Sequence, residues 1–416
     1  MNELIYFGCK NLFSFKDKVE FTTETSKGES SFVSVIYGAN ASGKTNFIKA
    51  LDFLKFLILS SKDRSVEDGI PVFPFKKTQD KDTEFKIMFK SNNIKYAYYL
   101  KLNKERVNEE NLYHYPSGKI SKIYTRLYNL ESKSYEFEYA RSYIKELKNL
   151  ETVCPSNKIF LSVAALWKEM DEIRNPFRFF SEVLQTNIGI GDVRWIERSA
   201  EILESNSKEK ERFIELLKVI LPGLKAINSE IERKKISIDE LPSDLPMELR
   251  ILMSQGESTN IDIKLEYENG IIVDLSEESK GIKRTVEILG PILDILKNGS
   301  ILLFDELESS FHPIVAENIV KLFLDKKQNL NKAQLIFTTH DVNLLDSKSI
   351  GRDSIWFTER DAKNDFSTEL YPLSSIEDVK SSENLRKNYL KGKYSWIPVM
   401  DNFNIEKLFQ DSGSDE

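Results

Sequence analysis

Val33-Ser-Val-Ile-Tyr-Gly38-Ala-Asn-Ala-Ser-Gly43-Lys44-Thr45-Asn46-Phe47 is the stretch that decides the fold. Val33–Tyr37 is β-branched and aromatic, the composition of a buried strand. Gly38, Gly43, Lys44 and Thr45 then meet the spacing G-x-x-x-x-G-K-[ST]. Phe47, Leu51, Leu54 and Ile58 follow at helical spacing. Strand, glycine loop and helix in this order make a phosphate cradle. The glycines let the backbone curl so that successive N–H groups meet phosphate oxygens, and the helix adds its positive end. The expected nucleotide contacts are Gly38, Asn40, Ala41, Ser42, Gly43, Lys44, Thr45 and Asn46. Lys44 would reach the β- and γ-phosphates, and the Thr45 hydroxyl would bind Mg2+.

Two later strands carry the matching polar groups. Ile301-Leu-Leu-Phe-Asp305-Glu306 delivers two carboxylates from the end of an apolar strand. Asp305 is the expected metal residue, through water, and Glu306 the general base that polarises the attacking water. Gln334-Leu-Ile-Phe-Thr-Thr-His340-Asp341 is a second such strand. Its His340 is placed to hydrogen-bond the γ-phosphate or the water. Ser279-Lys-Gly281 opens a helix with Ile282, Val286, Leu289, Leu293 and Leu296 on one face, and would make a second anion site. Two anion-binding helix ends in one chain suggest closure of a nucleotide between two copies. His312, before Pro313, reads equally as a site residue or as helix entry.

The chain of 416 residues is 40% hydrophobic and 30% charged, ordinary for a globular protein. No apolar run approaches the roughly 20 residues that span a bilayer, and the N-terminus lacks a signal-peptide pattern. Cys9 and Cys154 read as reduced thiols, so a cytoplasmic location is expected. The net charge of −7 leaves DNA binding open without indicating it. The acidic tail Asp411–Glu416 reads as frayed.

Strand–helix alternation around a parallel sheet makes this an α/β chain with a split core. The expected ATPase domain is 1–60 joined to 261–416, with an antiparallel β subdomain at 61–102. Residues 103–260 are expected as an inserted, mainly helical lobe. Helices are expected over Phe160–Glu172, Trp195–Ile220, 281–297 (kinked at Pro291) and 313–325. Residues 228–248 read as a linker. Ser91-Asn92-Asn93 reads as a turn, and Asn269-Gly270 as a type I′ hairpin.

The order of phosphate loop, long insertion, Ser-x-Gly segment, Asp-Glu strand and switch histidine resembles the ABC-type ATPase heads of SMC and OLD-like proteins. More narrowly, the chain is similar to RloA/AbiLi-type AAA ATPases, relatives of the PtuA and AriA subunits of phage-defence systems. The similarity is carried by Asn11-Leu-Phe-Ser-Phe15, Ser162-Val-Ala-Ala-Leu-Trp167, Glu278–Arg284, Leu303–Pro313, Thr338–Asp341 and Tyr389–Pro398. It implies an ABC/SMC-type P-loop NTPase core with a mixed sheet. It also implies ATP with Mg2+ held between two subunits, Lys44, Thr45, Asp305, Glu306 and His340 of one facing Ser279 and Gly281 of the other. A separate effector protein, a nuclease or toxin, is implied as partner. The expected function is that of an ATP-hydrolysing sensor or scaffold in anti-phage defence. A RecF- or SMC-like DNA-repair or chromosome-maintenance ATPase is the alternative. From His340 to Glu416 there is less sequence than a typical domain of roughly 100 residues, so no intrinsic nuclease is expected. Phe13 replaces an arginine found in SMC-like heads, and Glu308 stands where a cross-dimer aspartate is common. No glutamine-loop residue stands out; Gln79 is a candidate that reads first as surface loop.

Overall fold

The computed structural model describes residues 1–187, 193–237, 246–247, 250, 257–311, 313–346, 350–377, 379 and 383–394. His312, much of the expected linker, the Ser395–Pro398 end of the last resemblance stretch and the acidic tail lie outside these residues.

In chain order the strands are β1 Glu3–Lys10, β2 Val19–Thr22, β3 Val33–Gly38, β4 Thr83–Ser91, β5 Ile94–Leu102, β6 Val107–Tyr115, β7 Ser121–Asn129, β8 Ser134–Tyr139, β9 Leu184–Asn187, β10 Leu224–Lys235, β11 Glu257–Tyr267, β12 Ile272–Asp274, β13 Ile301–Phe304, β14 Gln334–Thr338, β15 Ile355–Asp361 and β16 Ser367–Pro372. The helices are α1 Lys44–Ser60, α2 Ile144–Leu147, α3 Phe160–Trp167, α4 Asp171–Arg178, α5 Val193–Glu204, α6 Lys208–Ile220, α7 Lys280–Asn298, α8 Pro313–Leu324 and α9 Leu385–Tyr389.

Helix α1 is clamped between two sheets. One is antiparallel, in the order β2-β1-β4-β5-β6-β7-β8. The other runs β16-β15-β3-β14-β13-β9 and is parallel except at its edge strand β16. Side chains alternate across the parallel sheet, so both of its faces are apolar. Ile36, Ile301, Leu303 and Ile336 join Phe47, Leu51 and Leu54 of α1. Val35, Tyr37, Leu302, Phe304, Leu335 and Phe337 pack instead with Ile288 and Ile292 of α7 and Val315 and Ile319 of α8. A third sheet, β10-β11-β12, sets Ile227, Ile263 and Leu265 against Leu203 of α5, Phe213 and Leu217 of α6, and Val286 and Leu289 of α7. The fold is therefore an α/β P-loop NTPase core with mixed sheets, as expected.

Several boundaries differ from the sequence reading. The antiparallel sheet runs on through Tyr139, well past residue 102, and also takes in β1 and β2. Its alternating tyrosines and carboxylates look surface-like in sequence. Tyr98, Tyr124 and Glu110 are instead buried in one network: Glu110 accepts from Tyr98 and Tyr124 hydroxyls (3.1 and 2.7 Å) and from the N–H groups of Phe160 and Leu161 at the start of α3 (2.6 and 2.9 Å). Fully buried Arg126 lies 3.7 Å from the same carboxylate. β9, inside the expected insertion, pairs with β13 and completes the parallel sheet. Trp195–Ile220 is two helices, because Ser207 caps α6 by accepting from Lys210 N–H. Phe160–Glu172 also splits, into α3 and α4. Residues 228–235 belong to β10, paired with β11 along its whole length. The turn at Asn92-Asn93 has both residues at positive φ, 50° and 67°. At Asn269-Gly270 only the glycine does, at 81°; Gly270 N–H bonds Tyr267 O and Tyr267 N–H bonds Ile271 O, a turn one residue longer than type I′.

Helix α7 continues through Pro291, and α5 supplies the reason. Proline cannot donate to the carbonyl one turn back, that of Glu287. Ser199 Oγ donates to that oxygen at 2.9 Å and accepts from Gly290 N–H at 3.1 Å. Gly290 makes room: a Cβ there would lie 2.7 Å from Ser199 Cα. Ser199→Ala takes the side-chain donor from Glu287 O, which Pro291 cannot serve, and the acceptor from Gly290 N–H, both in the buried helix interface. Unfolding in urea should show a loss of about 1–3 kcal/mol; an unchanged midpoint would mean that this graft does not hold α7.

Candidate functional site

Gly38 ends β3, and Gly43 begins α1 at φ 112°. Neither has room for a side chain. A Cβ on Gly38 would lie 2.4 Å from Thr358 Oγ1, and one on Gly43 2.4 Å from Thr368 Oγ1. Ala41 between them takes left-handed backbone at φ 62°, a conformation disfavoured by its Cβ. Helix α1 starts with no side-chain cap and no acidic residue in its first turn. Its first N–H groups and positive dipole end are therefore left to the loop. Asn40 and Ala41 are exposed, whereas Ser42, Gly43 and Lys44 are buried.

Lys44 Nζ donates to Gly38 O and Ala39 O at 2.9 and 3.0 Å. Burial lowers its pKa, while Glu306, Glu308 and Asp305 act in the opposite sense. Thr45 Oγ1 donates to Asp305 Oδ1 at 3.2 Å, joining the loop to the end of β13. Thr338 Oγ1, at the end of β14, donates to the same oxygen at 2.7 Å and accepts from Glu306 N–H at 2.7 Å. Glu306 itself sits at φ 49°; such strain in a carboxylate-bearing residue is typical of functional positions. His340 follows β14, and its N–H donates to Glu308 Oε1. Partial burial, and then the nearby Lys44 ammonium, hold the imidazole below its ordinary pKa, opposed by the three carboxylates.

The structure thus brings together Lys44, Thr45, Asp305, Glu306 and His340. Ser279 and Gly281 are elsewhere. Ser279 caps α7, accepting from Ile282 N–H at 3.4 Å, and a Cβ on Gly281 would meet nothing within 4 Å. Glu308 is engaged within its own chain. Gln79 is exposed, its amide bonded to Lys76 O at 3.2 Å, so no contact sets it beside Asp305. Phe13 is partly buried, stacked on Phe73 and packed on Phe53 at the margin of the core.

Three polar residues near the loop escaped the sequence reading. Ser14 Oγ accepts from Asn46 Nδ2 and from Thr368 Oγ1, both at 2.8 Å. Thr368 Oγ1 also lies 2.9 Å from Ser42 O. Ser42 Oγ shares a 2.6 Å hydrogen bond with Thr358 Oγ1. The signal available was weak: β15 and β16 are one more apolar-to-polar strand pair after the histidine.

The residues fit a magnesium nucleotide. Among the described residues no three His, Cys, Asp or Glu side chains converge as a metal site. A hydroxyl and one carboxylate side by side, Thr45 and Asp305, suit Mg2+, which takes its other oxygens from phosphate and water.

The profile of a family described as "AAA domain, putative AbiEii toxin, Type IV TA system" matches residues 33–346. The chain belongs to this family. The match begins at β3 and takes in the phosphate loop, Asp305, Glu306 and His340. This AAA-family chain is a P-loop ATPase in its general class, and nucleotide binding is the property its family implies. Among solved structures, it is similar to the SMC head domain from Thermotoga maritima, at 15% identity over 89% of this chain and 98% of that one, with a TM-score of 0.41. It is also similar to an Smc head domain derived from Pyrococcus furiosus, bound there to the C-terminal domain of ScpA, at 14% identity over 89% and 96% with a TM-score of 0.40. Likeness at this level bears on neither activity nor partners. No curated protein sequence matches. Among the described residues no helix is long and apolar enough to cross a membrane.

Replacing Lys44 by Met removes the cation that helps lower the His340 pKa. Proton NMR titration of the imidazole, one of only three in the chain, should show its pKa rising in the variant. A fall would mean that the lysine charge does not reach this ring.

Proposed function

We propose that the chain binds Mg-ATP in this loop and hydrolyses it slowly or on a trigger, as a sensor or scaffold subunit that controls a separate effector protein in anti-phage defence. The observation that carries the ATPase part is the meeting of Lys44, Thr45, Asp305, Glu306 and His340 at the ends of β3, β13 and β14. The loop N–H groups and Lys44 hold the phosphates. Thr45 and Asp305 hold magnesium, which supplies charge neutralisation. Glu306 orients and polarises the attacking water, and His340 reads the presence of the γ-phosphate.

Ser279 and Gly281 act across a dimer in this reading. The cap is exposed, and among the described residues a Cβ on Gly281 would meet nothing within 4 Å, so a second copy can bring its own phosphate loop against it. The effector and the defence role rest on the toxin–antitoxin description of the family and on the resemblance to phage-defence ATPases.

Lys44→Ala should weaken Mg-ATP binding about tenfold or more, the value of one charge-assisted hydrogen bond. Glu306→Gln should keep ATP binding and lose about 10²–10⁴-fold in turnover, while ATP shifts it to a dimer in light scattering. Hydrolysis by Glu306→Gln at the wild-type rate would remove the base assignment. ATP that leaves the variant monomeric would remove the dimer.

The purified chain should leave plasmid DNA intact with Mg2+ or Mn2+, and a native pull-down should recover a second protein. Cleavage that survives Lys44→Ala refutes the need for a separate nuclease. Duplex binding that falls steeply with salt would favour the DNA-maintenance alternative.

A further inference from the structure

The turn between β15 and β16 carries a feature that the ATPase reading does not use. Asp365 and Phe366 are both left-handed, at φ 58° and 57°. Such backbone is uncommon for any side chain and an outlier for an aromatic one. Glycine or asparagine would close the same turn with less strain. The Phe366 ring is not there for the core, since the residue is 60% exposed.

The turn is nevertheless held firmly. Lys16 Nζ reaches Asp365 Oδ2 at 2.8 Å and Asn364 Oδ1 at 2.9 Å. Lys77 pairs with the other Asp365 oxygen, and Asn364 Nδ2 donates to Asp17 Oδ2 at 2.7 Å. Hydrogen bonds from Lys16 and Lys77 keep the Asp365 carboxyl at about 2, ionised at any physiological pH. Strain held in place by its surroundings points to a use for the strained residue.

Phe366 lines a cavity of about 670 Å³ that the phosphate loop, Ala39 to Ser42, also lines. Its volume lies in the ~300–1,000 Å³ range of small-molecule sites. Ala41 and Ala362 give it apolar surface, while Glu359, Asp361 and Glu369 supply acceptors. Thr358 and Thr368 tie this wall to the loop. A group carried on the phosphates bound by the loop has a cavity beside it with one aromatic face and carboxylate acceptors. That combination suits a flat heterocycle with amino and hydroxyl donors.

We propose that Phe366 is the stacking platform for the base of the nucleotide whose phosphates the loop holds, with carboxylates of β15 and β16 accepting from its amino group and ribose. The proposal rests on the nucleotide reading of the loop, and makes the β15–β16 turn the part of the chain that reads the base.

The test is calorimetric binding of Mg-ATP and of magnesium tripolyphosphate, which has the phosphates without the base. Wild type, Phe366→Ala, Phe366→Trp and Phe366→Gly are compared. Phe366→Ala should bind ATP about tenfold more weakly, the usual value of one base–aromatic stack, with tripolyphosphate unchanged. Phe366→Trp should restore ATP binding, and its fluorescence should be quenched by ATP alone. Phe366→Gly should bind ATP weakly yet melt no lower than wild type, because the backbone strain is relieved; this separates the role of the ring from folding. ATP affinity unchanged in Phe366→Ala, or equal losses for ATP and tripolyphosphate, would overturn the stacking role while leaving the phosphate loop intact. Wild type that binds neither ligand would overturn the nucleotide reading, and this inference with it.

Discussion

One carboxylate oxygen organises this protein. Asp305 Oδ1 accepts from Thr45 at the start of α1 and from Thr338 at the end of β14. Those two hydroxyls belong to segments nearly 300 residues apart, and they meet only because β14 lies between β3 and β13 in the parallel sheet. Registers of Phe304 on Phe337 and Thr338 on Ile36 bring the three strand ends level. The clamp on α1 serves the same end. Between these sheets nearly all of its apolar side chains are buried, Phe56 excepted, so the helix start is held against β13.

The charge balance around that oxygen matters as much as its position. Asp305, Glu306 and Glu308 surround one ammonium, Lys44, and one imidazole, His340. Like charges crowded in a partly buried site are costly unless a cation joins them. A bound cation would relieve such a cluster. The crowding also explains why the lysine is curled onto loop carbonyls and why Glu308 takes the His340 N–H: each group satisfies a partner within reach. The left-handed backbone at Ala41 and Glu306 adds strain on both sides of this cluster.

Most of the nucleotide core was legible because its information is local. Gly38, Gly43, Lys44 and Thr45 work through fixed spacing in one turn of chain, and four apolar residues before Asp305 mark a buried strand whatever surrounds it. Long-range contacts were not legible. Ser14, Thr358 and Thr368 lie beside the loop through contacts spanning over 300 residues, and a serine or threonine in sequence says nothing of its partner. The extent of the antiparallel sheet was hidden because Glu110 and Arg126 look like surface residues until they pair in the interior. The helix break at Ser207 was hidden because apolar residues continue on both sides of it, while the Ser207 cap decides where α6 starts; α4 starts at Asp171 with no side-chain cap to mark it.

By itself, then, the sequence determined the α/β class, the phosphate loop, the paired carboxylates at the end of β13 and the strand that precedes the histidine, since each depends on residue type at short, regular spacing. Only the tertiary structure decided that β9 completes the parallel sheet, that Ser199 bonds the backbone on either side of the break at Pro291, that Glu308 accepts from His340 N–H, and that Phe366 shares a cavity with the loop. These depend on which distant segments touch, and that is set by packing of whole faces against one another.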